Sequence, residues 1–228
     1  MLSVTSKSAI TPSFIGLMAT ILPGVRPNIL LASSPTARTL EVPFCIATTG
    51  FAGMLFNLIL LFAFQTLYGY VFYWIGILIS ALMVGVVVGG QITTSILGRI
   101  KRDLIFLLGI EMSIIIFSMA LPLIFSEALS QQYMPIIFLF LSFLSGFLIG
   151  LQFPIANKIY LSMKGEPEFS STAGLLYGAD LMGGWLGGIF GGVLLLPVLG
   201  LLETCIVVLI FKLCSFIILI GSASSLRQ

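Results

Sequence analysis

The sequence contains no histidine, and lysine, arginine, aspartate and glutamate together make up only 8% of its 228 residues. Without histidine there is no His-based metal site, no Ser/His or Cys/His catalytic arrangement and no metalloprotease helix of the His-Glu-x-x-His type. Soluble domains carry about 25% charged residues, because their surface faces water. At 8% the surface must face another solvent, and with 59% hydrophobic residues that solvent is lipid. The formal net charge of +2 is too small to recruit nucleic acid, and there is no basic stripe with interleaved aromatics. The three cysteines, Cys45, Cys205 and Cys214, lie in apolar runs with no paired spacing. They exclude a disulfide framework or a zinc site and read as small buried hydrophobes.

What the chain does have is length of apolar sequence. About 20 apolar residues cross a hydrocarbon core at 1.5 Å per residue. Six such stretches are expected, at 44–67, 72–97, 104–125, 134–155, 173–199 and 201–221. The expected fold is therefore an all-α bundle of six transmembrane helices occupying 44–222, with a short tail at 223–228. Segment 1–43 is apolar in part but broken by Pro23, Arg26, Pro27 and Asn28. Burying Arg26 beside two prolines is costly. That segment is expected to be interfacial or re-entrant, or the remnant of a longer chain.

Basic residues sit in alternate links. Arg99, Lys101 and Arg102 separate spans two and three, Lys158 and Lys164 lie between four and five, Arg38 precedes one and Arg227 follows six. The other three links have none. Cytoplasmic loops carry the Lys/Arg excess, so both ends of the bundle are expected in the cytoplasm. Tyr68, Tyr70, Tyr73 and Trp74 at the opposite end suit an interfacial aromatic belt.

Three charged residues interrupt the spans: Glu111, Asp180 and Lys212. Each costs about 2.5–3.5 kcal/mol at bilayer depth on insertion scales, so they should face the bundle interior. Counting from the basic side puts Glu111 and Asp180 roughly 10–12 Å deep and Lys212 roughly 13–15 Å, one common slab. Lys212 is expected to pair with Asp180 or with Glu111. Two readings follow, a fixed bond between helices or a site for substrate or proton. With Tyr177 and Gln152, these three form the expected lining of a substrate site. No catalytic residue, metal or cofactor is expected.

Span five carries the most specific pattern, glycine pairs every four residues: Gly183-Gly184, Gly187-Gly188 and Gly191-Gly192. Small residues at that spacing let helix backbones approach closely, either within one copy or between two copies that would restore a twelve-span assembly. Pro154 and Pro197 are expected to kink or end their spans.

Three stretches resemble the membrane portion of bacterial membrane-bound spermidine synthase-like proteins. They are Phe64-Gln65-Thr66-Leu67-Tyr68-Gly69-Tyr70-Val71 with Val88-Gly89-Gly90, then Gly146-Phe147-Leu148-Ile149-Gly150-Leu151-Gln152-Phe153-Pro154, and Leu176-Tyr177-Gly178-Ala179-Asp180 leading to Leu196-Pro197-Val198-Leu199-Gly200. The resemblance implies half of a major-facilitator-type bundle in a bacterial inner membrane. It also implies a transporter-like role for a small cationic solute or proton, or an anchor for a separate aminopropyltransferase-like enzyme. The chain itself has no residues for that enzyme's soluble catalytic domain. Gly98-Arg99-Ile100-Lys101-Arg102 keeps the basic part of the facilitator loop signature but lacks its upstream aspartate.

Overall fold

The computed structural model of the chain describes residues 35–69, 72–100, 102–126, 134–164 and 169–224. The chain divides into two units, Met1–Thr39 and Leu40–Gln228. The reading of segment 1–43 lies, up to residue 34, outside the described residues, and so do Lys101, Arg227 and Tyr70.

Six helices are long and apolar enough to cross a membrane. They are α1 (Pro35–Tyr68), α2 (Phe72–Ile96), α3 (Asp103–Ser126), α4 (Met134–Lys164), α5 (Phe169–Ile189) and α6 (Leu201–Ser224), with a π-helical segment, Phe190–Leu199, between α5 and α6. This is the all-α six-helix bundle expected of an integral membrane protein. Its surface is apolar, with Val84, Val87, Val193, Val198 and Ile217 all more than half exposed. Three of its strongly polar side chains, Glu111, Gln152 and Lys212, are fully buried inside. That inversion is what a lipid solvent selects.

α1 is the centre. Within its apolar window 67% of residues are buried, against 22% for α2 and for α5. It starts at Pro35, earlier than the apolar run alone indicates, and continues through Pro43. Two glycine-based contacts set the helix spacing around it. In the first, α5 lies on α1. A Cβ at Gly183 would collide with the Ala47 carbonyl, and one at Gly187 would lie 2.7 Å from the Phe51 carbonyl. Gly184 faces the Gly50 carbonyl, Gly188 meets the Met54 side chain and Gly191 meets Leu55, while Gly192 faces open space. The glycine ladder is thus used within one chain.

The second contact joins α2 to α4 and is the more reciprocal. A Cβ on Gly85 or Gly89 would strike the Phe143 or Phe147 carbonyl, and one on Gly146 or Gly150 would strike the Leu82 or Val86 carbonyl. Ser142 Oγ donates to the Leu78 carbonyl at 2.7 Å and Thr93 Oγ1 to the Leu151 carbonyl at 3.1 Å, extending the seam at both ends. Small residues every four positions on both helices allow this approach.

Of the two outcomes expected at Pro154, a kink or an end, the second does not occur. α4 runs on through Pro154 to Lys164, so that proline does not end the helix. Pro197 lies inside the π segment. Its missing N–H and its ring disrupt the α register, and the chain there takes the wider π winding. The segment ends at Gly200, whose φ of +94° suits glycine and turns the chain directly into α6. The Gly200 N–H is shared between the Leu195 and Leu196 carbonyls, at 3.2 and 3.1 Å. π-helical turns are uncommon and recur at functional sites.

At one end of the bundle Lys158 of α4 donates to the Leu97 carbonyl at 3.0 Å, the Ile100 carbonyl at 3.2 Å and Asp103 Oδ1 at 2.8 Å. The basic α2–α3 link and the basic end of α4 therefore share one end. At the other end Tyr68 stacks on Phe64 (4.9 Å between centroids), and Trp74 and Phe138 also pack on Phe64, each at 5.5 Å. Tyr73 is exposed in the manner of an interfacial belt, whereas Tyr68 and Trp74 also close the bundle.

Candidate functional site

The interior polar groups converge where α1, α3, α4 and α6 meet. Glu111 from α3 is the centre, and its Oε1 is within reach of four donors: Cys45 Sγ at 2.8 Å, Gln152 Nε2 at 2.9 Å, Lys212 Nζ at 3.2 Å and Ser215 Oγ at 3.3 Å. Lys212 and Glu111 form an ion pair with both side chains at zero exposure. Lys212 Nζ also donates to Thr49 Oγ1 at 2.6 Å. The single Thr49 hydroxyl proton has two acceptors, Gln152 Oε1 at 2.6 Å and the Cys45 carbonyl at 2.9 Å. Gln152 Nε2 reaches Cys45 Sγ at 2.9 Å. The network is continuous over four helices.

It is also lopsided. A carboxylate oxygen has two lone pairs, yet Oε1 faces four donors while Oε2 is buried with no hydrogen-bond partner. An unsatisfied buried acceptor ordinarily costs about 1–3 kcal/mol, more when charged. Glu111 Oε2 is the open valence of the site.

Local sequence explains the convergence. Cys45 and Thr49 are four residues apart and Lys212 and Ser215 three apart, so each pair projects from one face of its helix. Gln152 sits near the end of the apolar run, but α4 continues well past it to Lys164, which places Gln152 inside the bundle rather than at its mouth.

Of the expected lining residues, Glu111, Gln152 and Lys212 come together. Lys212 chooses Glu111 of its two candidate acids. Asp180 stands beside them, half-buried, at the α1–α5 contact. Its backbone carbonyl and Oδ1 fill the space a side chain at position 50 would occupy, a Cβ there lying 2.7 Å from Oδ1. Gly50 follows Thr49, so Asp180 meets α1 one residue from the hydroxyl that holds Lys212. Among the described residues it makes no ion pair. Tyr177 does not join the site. It is 57% exposed, and with Leu181 and Trp185, four and eight residues on, it forms the lipid-facing stripe of α5.

Reading the sequence alone missed Cys45, Thr49 and Ser215. Cys45 is buried, as expected of a small hydrophobe, but its thiol is bonded within the network rather than packed among apolar groups alone. The available signal was the Cys45/Thr49 and Lys212/Ser215 spacing.

Glu111, Asp180 and Lys212 are, by residue type, two acids and one base. The second ion pair among the described residues, Lys158 with Asp103, is part-exposed and lies at the basic end. Among the described residues no group of three or more Cys, Asp or Glu side chains is arranged to hold a metal ion. Comparisons with protein families, with characterised proteins and with solved structures give no match for the chain.

Proposed function

We propose that the chain is a transporter-like membrane protein in which the polar centre binds a proton or a small organic cation such as a polyamine. The observation that carries this reading is the excess acid: Lys212 pairs with Glu111 alone, Asp180 has no ion pair among the described residues, and Glu111 Oε2 has no hydrogen-bond partner. An apolar replacement of a buried ion pair is often as stable or more so, so bundle stability alone does not account for two acids, a lysine and four hydrogen-bonding side chains. Intramembrane ionisable groups are the usual marks of ion and substrate paths.

The chemistry is a charge exchange. A proton entering at Glu111 Oε2 neutralises that carboxylate and releases the Lys212 ammonium from it. Asp180, the neighbouring acid, then becomes its counter-ion. Loss of the proton restores the Glu111–Lys212 pair and frees Asp180. Lys212 stays charged throughout, and one proton is gained and lost per cycle. An organic ammonium carries the same charge and N–H donors to the same free carboxylate. Half of a facilitator-type bundle, the bacterial inner membrane and a kinship with spermidine synthase-like proteins rest on the three sequence stretches given above.

Reconstitution into liposomes tests this. Proton entry under an imposed membrane potential, and uptake of labelled spermidine, are compared for the native chain, Glu111→Gln and Asp180→Asn. Losing a buried charge pairing of about 2 kcal/mol corresponds to roughly a 30-fold drop, and at least that is expected for whichever cation is carried. Native-level flux in Asp180→Asn would remove Asp180 from the mechanism. Absence of flux in the native chain would leave the polar centre an assembly role, as in an anchor for a partner enzyme.

A further inference from the structure

The basic end of the bundle carries a second feature, separate from the polar centre. An open groove of about 720 Å³ runs along α3 beside α4. Arg99 and Arg102 line one end of it, Ile105, Gly109 and Ser113 follow along α3, and Leu151 of α4 borders it. We infer that this groove seats one anionic phospholipid of the adjacent leaflet, its phosphate between Arg99 and Arg102 and an acyl chain along α3.

Three observations support that occupant. The first is charge. Both arginines are exposed, and the nearby acid, Asp103, is taken by Lys158 at 2.8 Å. Among the described residues neither arginine has an ion pair. Lys158 also holds the Leu97 and Ile100 carbonyls, which fixes the link that presents the guanidiniums. Two forked cations on a fixed backbone suit a phosphate. The second is length. From Arg102 to Ser113 the helix rises about 16 Å, close to half of the roughly 30 Å hydrocarbon core, so the groove matches one acyl chain in one leaflet. The third is its lining. Nothing lies within 4 Å of the position a Cβ would take at Gly109, and the Ser113 hydroxyl is spent on the Gly109 carbonyl at 2.9 Å. The middle of the groove is open and apolar, which suits a hydrocarbon chain and not a free anion. Basic pockets at the ends of membrane helices commonly select anionic headgroups.

Native mass spectrometry of the detergent-purified chain, titrated with phosphatidylglycerol, cardiolipin or phosphatidylcholine, tests this, with inorganic phosphate as competitor. The native chain is expected to retain the anionic lipids in preference to phosphatidylcholine, and phosphate is expected not to displace them. Arg99→Gln/Arg102→Gln should lower anionic-lipid affinity by roughly 30-fold, from about fivefold per cation. Gly109→Leu, which keeps both arginines and fills the groove, should weaken retention of long-chain lipid. Unaltered size-exclusion elution of both variants verifies folding. Equal retention of phosphatidylcholine, unchanged binding in the double arginine variant, or displacement by phosphate would overturn the assignment. Unchanged binding in Gly109→Leu would overturn the seat in the groove.

Discussion

Replacing Lys212 with methionine is expected to destabilise the bundle by about 3–5 kcal/mol, because it leaves the Glu111 carboxylate buried without its cation. The shape changes little, since methionine has nearly the length of lysine. The loss comes from charge: the ammonium that bonds Glu111 Oε1 and Thr49 Oγ1 is gone, and the carboxylate it leaves behind has zero exposure. Adding Glu111→Gln should restore most of the loss, because the amide oxygen still accepts from Gln152, Cys45 and Ser215 while no net charge remains. Unfolding in mixed micelles by titrated dodecyl sulfate measures both variants. If Lys212→Met were as stable as the native chain, the pair would not be ionised as described. If the double variant were no more stable than the single, the loss would arise from packing and not from unbalanced charge.

The second large effect is expected at the α2–α4 seam. Gly146→Ala and Gly150→Ala each add one methyl group directly against a carbonyl of α2, at Leu82 and Val86. Backbone cannot swing aside as a side chain can, so the helices must separate along the whole reciprocal contact. Overpacking of this kind costs about 1–3 kcal/mol per site, and the two together should cost roughly 2–6 kcal/mol. Gly76→Ala and Gly192→Ala are the matched controls, since nothing lies within 4 Å of either new methyl. There alanine should be neutral or stabilising by about 0.5–1 kcal/mol through its better helix propensity. The same unfolding titration distinguishes the four. Equal behaviour at all four positions would mean that the seam is looser than described.

How far such features can be read from sequence depends on what the solvent is. The six spans were legible because hydrocarbon thickness fixes the length of each apolar run. The common depth of Glu111 and Lys212 was legible from the 1.5 Å rise. Which face of each helix turns inward was not. In a soluble helix the polar face marks the outside, but here the lipid is as apolar as the core, and the sequence pattern around α5 does not separate the two. Tyr177 and Asp180 are three residues apart, yet the first faces lipid and the second the α1 contact. Small residues carried the missing information. Gly183 and Gly187 mark the buried face of α5, and Gly85, Gly89, Gly146 and Gly150 mark the facing sides of α2 and α4. The second set is spread over two helices and is visible only as a match between them. Thr49 and Cys45 were overlooked for a similar reason, since their four-residue spacing gains meaning only beside Glu111, Gln152 and Lys212 of three other helices. Pro154 left two outcomes open in the sequence, a kink or an end to the span. A membrane helix can continue past a proline, and this one does, which carries Gln152 into the interior.

All of this requires that the bundle cross a bilayer with its basic links on one side. Labelling of introduced cysteines with a membrane-impermeant maleimide reads that directly, in a chain whose exposed Cys214 is replaced by alanine and whose buried Cys45 and Cys205 give the background. Arg99→Cys and Ser162→Cys should be modified from one side of the membrane only, and Phe72→Cys and Leu202→Cys only from the other. Modification of positions 99 and 162 from opposite sides would contradict the six-span arrangement, and with it the placement of Glu111 and Lys212 inside the membrane.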